Sequence, residues 1–112
     1  MLNWLKKLLT PPPEADLVEW LDRGAIILDV RTPEEFRQGT AKGAINIPLD
    51  QVEKNMGRIK KYQAPIITCC RSGARSGVAK NQIRAAGIEC VNGGPWQTVQ
   101  EAVIERKNKP NS

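Results

Sequence analysis

APIITCCRSGARSGVAKNQIRAAG, residues 64–87, changes its period in mid-course. Ala64–Cys70 is a short apolar run rich in branched side chains, the pattern of a buried strand. From Ser76 onward Val78, Ala79, Ile83 and Ala86 recur at helical spacing, and Gly87 supplies a stop. Between the two lies a turn carrying two arginines, two serines and two glycines. A strand running straight through a glycine turn into a helix is the repeating unit of a parallel α/β sheet. In such sheets ligands sit beyond the carboxyl ends of the strands, which is where this turn falls.

The flanking sequence extends the same alternation. EADLVEWLDRG sets Leu17, Trp20 and Leu21 on one helical face and ends at Gly24. AIILDV, Ala25–Val30, reads as a strand. In RTPEEF, Thr32 can cap a helix, Pro33 fits its first turn and Glu35 completes a capping box; Gly39 would end that helix. GAINIP is a second strand, stopped by Pro48. LDQVEKNMGRIKKY predicts one amphipathic helix using Leu49, Val52, Met56 and Ile59. IECVNGG is a strand ending in a glycine turn, and PWQTVQEAVIERK places Val99, Ala102 and Val103 on one helical face. Strands that are apolar throughout and alternate with helices predict an α/β fold. Its central sheet is mostly parallel, with helices on both faces.

Three segments follow from composition. Residues 1–13 form a leader, MLNWLKKLLTPPP, closed by a stiff polyproline break. Residues 14–107 form the domain, and 108–112 a polar tail. The leader is too short to cross a bilayer. It reads as a basic segment packed on its own domain or frayed, with contact of Met1–Leu9 to a membrane surface or a partner as the alternative.

The charge of +5, from 17 basic and 12 acidic residues, suits small anions or acidic partner surfaces. The basic residues are scattered without interleaved aromatics, so no nucleic-acid partner is expected. There is no histidine, which removes His-based triads, Cys–His dyads and most catalytic zinc sites. No metal and no cofactor are expected. The three cysteines form no secreted disulfide framework and no zinc-type pair, which points to free thiols, a reducing compartment and a cytoplasmic setting. A modest enclosed core makes a monomer the default.

Any nucleophile here must be activated by fixed charges and backbone dipoles. Gly73 and Gly77 let successive N–H groups converge on one point. The helix start adds unpaired donors and partial positive charge, Arg71 and Arg75 add full charges, and Ser72 and Ser76 add hydroxyls. A free cysteine titrates near about 8.5, and such surroundings bring it to roughly 3.5–7.5. A shift of two units needs about 2.7 kcal/mol. A helix terminus gives about 0.3–2 kcal/mol, and convergent amides and an arginine supply the remainder. The bland reading is a buried strand-end thiol beside an anion-binding turn that does no chemistry. Alternation along the strand separates the two sulfurs: Thr68 and Cys70 share one side and Cys69 takes the other. Cys70, last in the strand and first in the loop, is the candidate nucleophile, Cys69 a structural residue and Cys90 a core residue. A thiol redox protein pairing Cys70 with Cys69 or Cys90 stays open.

Together these segments resemble the rhodanese (sulfurtransferase) family. CRSGAR resembles its active loop, a Cys followed by four residues and an Arg, and LDVRTPEEF, GAINIPL and NGGPW resemble its other recurring segments in the expected order. The resemblance spans roughly Glu14 to Arg106. It implies a parallel sheet of about five strands and a Cys70 that takes sulfane sulfur as a persulfide from an anionic donor such as thiosulfate. The acceptor would be a thiol, cyanide or an acceptor protein. It also implies a cradle made by the main-chain N–H groups of Arg71, Ser72, Gly73, Ala74, Arg75 and Ser76, with the Arg71 and Arg75 side chains helping to hold the donor. Asp29 and Arg31 would brace the loop and sheet. Where the family often has a histidine in GHI-x-GA, this chain has Thr40. Cys-dependent phosphatases of the same architecture place five residues before the arginine and so hold a wider ring. A persulfide carrier or docking module with little turnover is the nearer alternative.

Overall fold

The computed structural model describes residues 15–109. The expectations for the leader and for the last residues of the tail lie outside them. Along the described residues six α-helices and four strands follow one another. They are α1 (Leu17–Asp22), β1 (Ile26–Asp29), α2 (Pro33–Gln38), β2 (Ile45–Asn46), α3 (Leu49–Val52), α4 (Met56–Lys61), β3 (Ile66–Cys70), α5 (Ala74–Ala85), β4 (Cys90–Pro95) and α6 (Trp96–Asn108). The strands pair in the order β2–β1–β3–β4, all parallel. This is the α/β architecture the alternation predicts. The sheet has four strands rather than about five, and a fifth does not form among the described residues.

Local chemistry sets the boundaries. Asp16 accepts the amides of Val18 and Glu19 to start α1. At α2 the capping box forms as read: Thr32 Oγ1 accepts the Glu35 amide at 3.2 Å, and Glu35 Oε1 accepts the Thr32 amide at 3.1 Å. The predicted helix over residues 49–62 is broken into α3, a 3₁₀ turn at Glu53–Asn55, and α4. The Asn55 side chain explains the break. Its Nδ2 donates to the Gln51 carbonyl at 2.8 Å, the acceptor an α-helix would give to the Asn55 backbone N–H.

Strand alternation divides the core into two layers. On one side of the sheet lie Leu28, Val30, Ile66, Cys70 and Cys90 beneath Ala79 and Ile83 of α5. On the other lie Ile27, Ile67, Cys69 and Val91 beneath Val99, Trp20 and Trp96. Along α5 the buried positions are Ser76, Ala79 and Ile83. Val78, expected in the core, is 48 % exposed because it lies a third of a turn off that stripe. Ala86, at the helix end, is only half-buried. Among the described residues no helix is long and apolar enough to cross a membrane.

One irregularity shapes the functional edge. Thr68 pairs with Asn92 but Cys70 pairs with Pro95, so β4 carries one residue more than β3 over this stretch. The extra length is Gly93-Gly94. A Cβ on Gly93 would lie 2.6 Å from Val99, 2.8 Å from Ile67 and 2.9 Å from the Thr68 carbonyl oxygen, so only glycine fits.

Candidate active site

β3 ends at Cys70, and residues 71–73 turn the chain into α5. Gly73 makes the turn with φ 99°, and its α-carbon face lies against Gly94 of the bulge: a Cβ there would be 3.3 Å from the Gly94 Cα. The loop therefore rests on the irregular end of β4.

The turn aims its donors at one sulfur. Cys70 Sγ accepts the Gly73 amide at 3.0 Å and the Ser76 amide at 3.4 Å, and lies 3.2 Å from Ser76 Oγ. Burial is the largest single influence on this thiol and raises its proton affinity. The Ser76 hydroxyl and the amides of Ser76, Gly73 and Ser72 together outweigh it, leaving Cys70 below the ordinary thiol range. Cys69 goes the other way. Burial first, and the Asp29 carboxylate second, push its thiol far up. The alternation that assigned the two sulfurs to opposite layers is what separates their chemistry.

Of the six residues expected to form the cradle, Gly73 and Ser76 place their amides 3.0 and 3.4 Å from the sulfur. The Ser72 amide also favours the anion, and the Ala74 amide donates to Ser72 Oγ at 3.3 Å. Cys70 is also deeper than its place at a strand end suggests, with 0 % of its surface exposed. Arg71, Ser72 and Ala74 are the exposed part of the loop above it.

The two arginines differ. Arg75, expected with Arg71 to help hold a donor, is part-exposed and gripped by Glu35 of α2, Nη1 to Oε1 at 2.8 Å and Nη2 to Oε2 at 3.0 Å, which ties the loop to that helix. The same carboxylate serves the Thr32 cap, and the Arg75 guanidinium and the Thr32 amide hold Glu35 down to about 2. Arg71 is exposed and lines a cleft of about 400 Å³ with Arg31, Glu35, Gln38, Trp96 and Gln97.

Asp29 and Arg31 meet at the end of β1. Arg31 donates to both Asp29 carboxylate oxygens, with Nη2 to Oδ2 at 2.7 Å, and also to the Gly39 carbonyl, and its guanidinium stacks over Trp96 at 5.4 Å. Thr40, standing where a histidine was looked for, donates to Asp29 Oδ2 at 2.7 Å. Asn46 ties the carbonyls of Asp29 and Arg31 to β2. This buried cluster clamps the segment that faces the loop.

Sequence reading missed Asn92. It lies on β4 and joins the loop to the bulge: Nδ2 donates to the Gly73 carbonyl, and Oδ1 accepts from both Ser76 Oγ and the Gly94 amide. The one available signal was an amide side chain beside paired glycines at the carboxyl end of a strand.

A parallel α/β domain whose strand-to-helix turn directs amides onto a buried cysteine defines a class of anion-cradling thiol domains. Within that class the chain belongs to the rhodanese-like domain family, whose model matches residues 14–94. It is 41% identical over 76 residues to the thiosulfate sulfurtransferase 16, chloroplastic, of Arabidopsis thaliana, covering 54% of this chain and 60% of that one. It is 38% identical over 65 residues to the uncharacterized protein YqhL of Bacillus subtilis, covering 58% and 51%. The chain thus spans between about half and two thirds of the length of these relatives. Among solved structures, a rhodanese with anions from E. coli aligns with a TM-score of 0.61 at 30% identity, covering 66% of this chain and 89% of that one.

Proposed function

We propose that this chain is a sulfurtransferase in which Cys70 carries sulfane sulfur as a persulfide. One observation carries the reading: two backbone amides and a hydroxyl converge on the Cys70 sulfur at the start of a helix, with no imidazole in the chain. The names of its relatives support it, since three of them are called thiosulfate sulfurtransferases, one of these putatively. The four-residue spacing from Cys70 to Arg75 gives a small ring suited to one sulfur rather than a tetrahedral phosphate.

With thiosulfate as donor, the Cys70 thiolate attacks the outer sulfur. The new S–S bond forms as the bond to the sulfite sulfur breaks, and sulfite leaves with the electron pair. Cyanide or a thiolate then attacks the outer sulfur of the persulfide, and the Cys70 thiolate is regenerated, a ping-pong cycle. Arg71, exposed in its cleft beside Trp96, is the cation placed to hold the anionic end of the donor. Arg75, Asp29 and Arg31 hold the loop and its facing wall.

Intact mass spectrometry after incubation with thiosulfate tests this. The protein should gain one sulfur atom and lose it to cyanide, and the adduct should form in Cys69→Ser but not in Cys70→Ser. An adduct on Cys70→Ser overturns the assignment. The complete burial of Cys70 favours one variation, a carrier that loads its persulfide but turns over slowly on small acceptors. One sulfur per chain without repeated turnover of thiosulfate and cyanide would select it.

A further inference from the structure

The orientation of one carboxamide decides where a proton lies beside the Cys70 sulfur. Asn92 Oδ1 accepts the Gly94 amide at 2.9 Å, and Nδ2 donates to the Gly73 carbonyl at 2.9 Å. Neither backbone group can exchange its role, so the network fixes which end of the carboxamide is oxygen. Ser76 Oγ lies 2.7 Å from that same Oδ1. A carboxamide oxygen only accepts, so the single Ser76 hydroxyl hydrogen points at Asn92. The 3.2 Å contact between Ser76 Oγ and Cys70 Sγ is then made by the thiol hydrogen. In the neutral protein the donors run in one direction, from Cys70 to Ser76 to Asn92.

Ionisation of Cys70 reverses the first link. The thiol proton leaves to solvent, and the sulfur keeps the Gly73 and Ser76 amides. Besides the loop amides, a hydroxyl donor is within reach only if Ser76 turns its hydrogen from Asn92 to the sulfur. Asn92 Oδ1 still has the Gly94 amide, so it is not left bare.

We propose that Asn92 is a positioning residue that competes with the Cys70 sulfur for the Ser76 hydroxyl hydrogen and so sets the proton affinity of the thiol. The proposal rests on the reading of Cys70 as a working thiolate. The charged and titratable groups nearby are Arg75 on α5 with Glu35 on α2, Arg71 in the loop, Cys69 on β3, and Asp29 at the end of β1 with Arg31 just beyond it. Asp50 and Glu53 lie across the groove that Arg75 lines, and Cys90 lies in the same core layer. A change at Asn92 leaves these groups in place but also removes the bonds to the Gly73 carbonyl and the Gly94 amide, so the competition is isolated by repeating the change in Ser76→Ala, where only those two losses remain.

The test is the midpoint of Cys70 ionisation, read from the pH dependence of site-resolved alkylation. Removing the competitor in Asn92→Ala frees the hydroxyl for the sulfur, and the midpoint falls by about 0.5–1 pH unit, one hydrogen bond's worth. Ser76→Ala raises it. In the double variant Ser76→Ala/Asn92→Ala the fall disappears, because there is no hydrogen left to compete for. A residue that merely propped the loop would give a higher midpoint in Asn92→Ala, or the same change with and without Ser76, and either result overturns the proposal. Wild-type protein offers a second measurement should Asn92→Ala not fold. The Asn92 carboxamide resonances should titrate with Cys70 and stop doing so in Ser76→Ala; resonances that stay constant through the thiol titration overturn it. Failure of Cys70 to take sulfur from thiosulfate would instead remove the sulfur-carrier reading and leave these titrations standing.

Discussion

Glu35 and Arg75, forty residues apart in sequence, meet through both carboxylate oxygens and both terminal guanidinium nitrogens. The pair joins the capped start of α2 to the first turn of α5, so the loop over Cys70 is tied to the helix that follows β1. The carboxylate is held down to about 2, against 4.5 for an ordinary glutamate. A depressed acid stabilises the fold when ionised, and that contribution is complete above its unfolded value and fades as pH falls through the folded one. Glu35→Gln should therefore be less stable than wild type near neutrality, with the difference closing between about pH 4.5 and pH 2. Urea unfolding across that range checks it; a difference that stays constant would deny the pairing any role in stability.

Asp29→Ala should be among the most damaging single changes. Asp29 is fully buried, and its carboxylate takes the Arg31 guanidinium, the Arg31 amide and the Thr40 hydroxyl. Its removal leaves a buried guanidinium with only the Gly39 carbonyl and the Trp96 face, at a cost of about 3–5 kcal/mol. Denaturant midpoints at constant slope measure this, and a loss below about 1 kcal/mol would show the charge to be solvated after all.

Where the information is local, it could be read from the sequence. Four apolar runs gave four strands, the Thr32–Glu35 spacing gave a capping box, and parity along Ile66–Cys70 put the two sulfurs in different layers. Most of what escaped depends on partners distant in sequence. Glu35 looked complete as a cap, and nothing nearby announced Arg75. Asn92 beside two glycines has the composition of any turn, and its role arises only because the bulge in β4 brings it over Gly73 and Ser76. Parity gave the side on which Cys70 lies but not its depth, which the loop folded above it determines. Asn55 broke a helix by a side-chain bond that apolar periodicity does not register.

Two glycine substitutions should move stability in opposite directions. Gly93→Ala drives a methyl into Val99, Ile67 and the Thr68 carbonyl, and the backbone oxygen has no room to yield. A loss of about 1–3 kcal/mol is expected, with a displaced β4 carrying Asn92 away from the loop. Gly57 in α4 meets nothing within 4 Å, so Gly57→Ala should gain about 0.4–1 kcal/mol by restricting the unfolded chain. Thermal melts of the two variants decide; a Gly93→Ala protein as stable as wild type would contradict the close approach of β4 to Val99 and Ile67, and a destabilised Gly57→Ala would contradict the open space beside α4.

The neighbouring thiols should differ sharply in reactivity. Cys69 is buried next to the Asp29 carboxylate, and both raise its thiol, so almost none of it is thiolate at neutral pH. Cys70 faces two amides and a hydroxyl and sits below the ordinary range, so a larger part is ionised. Its complete burial works against it, since an alkylating agent must wait for the loop above to open. Ionisation and access thus pull in opposite directions at Cys70, whereas at Cys69 both oppose reaction. Limiting iodoacetamide on folded protein, with peptides resolved by mass, should label Cys70 at least about tenfold faster than Cys69. Glu35→Gln, by releasing Arg75 and loosening the loop, should speed Cys70 labelling without changing Cys69. Equal labelling of the two sulfurs would mean that the loop amides do not favour the anion, and the basis for sulfur transfer at Cys70 would be lost.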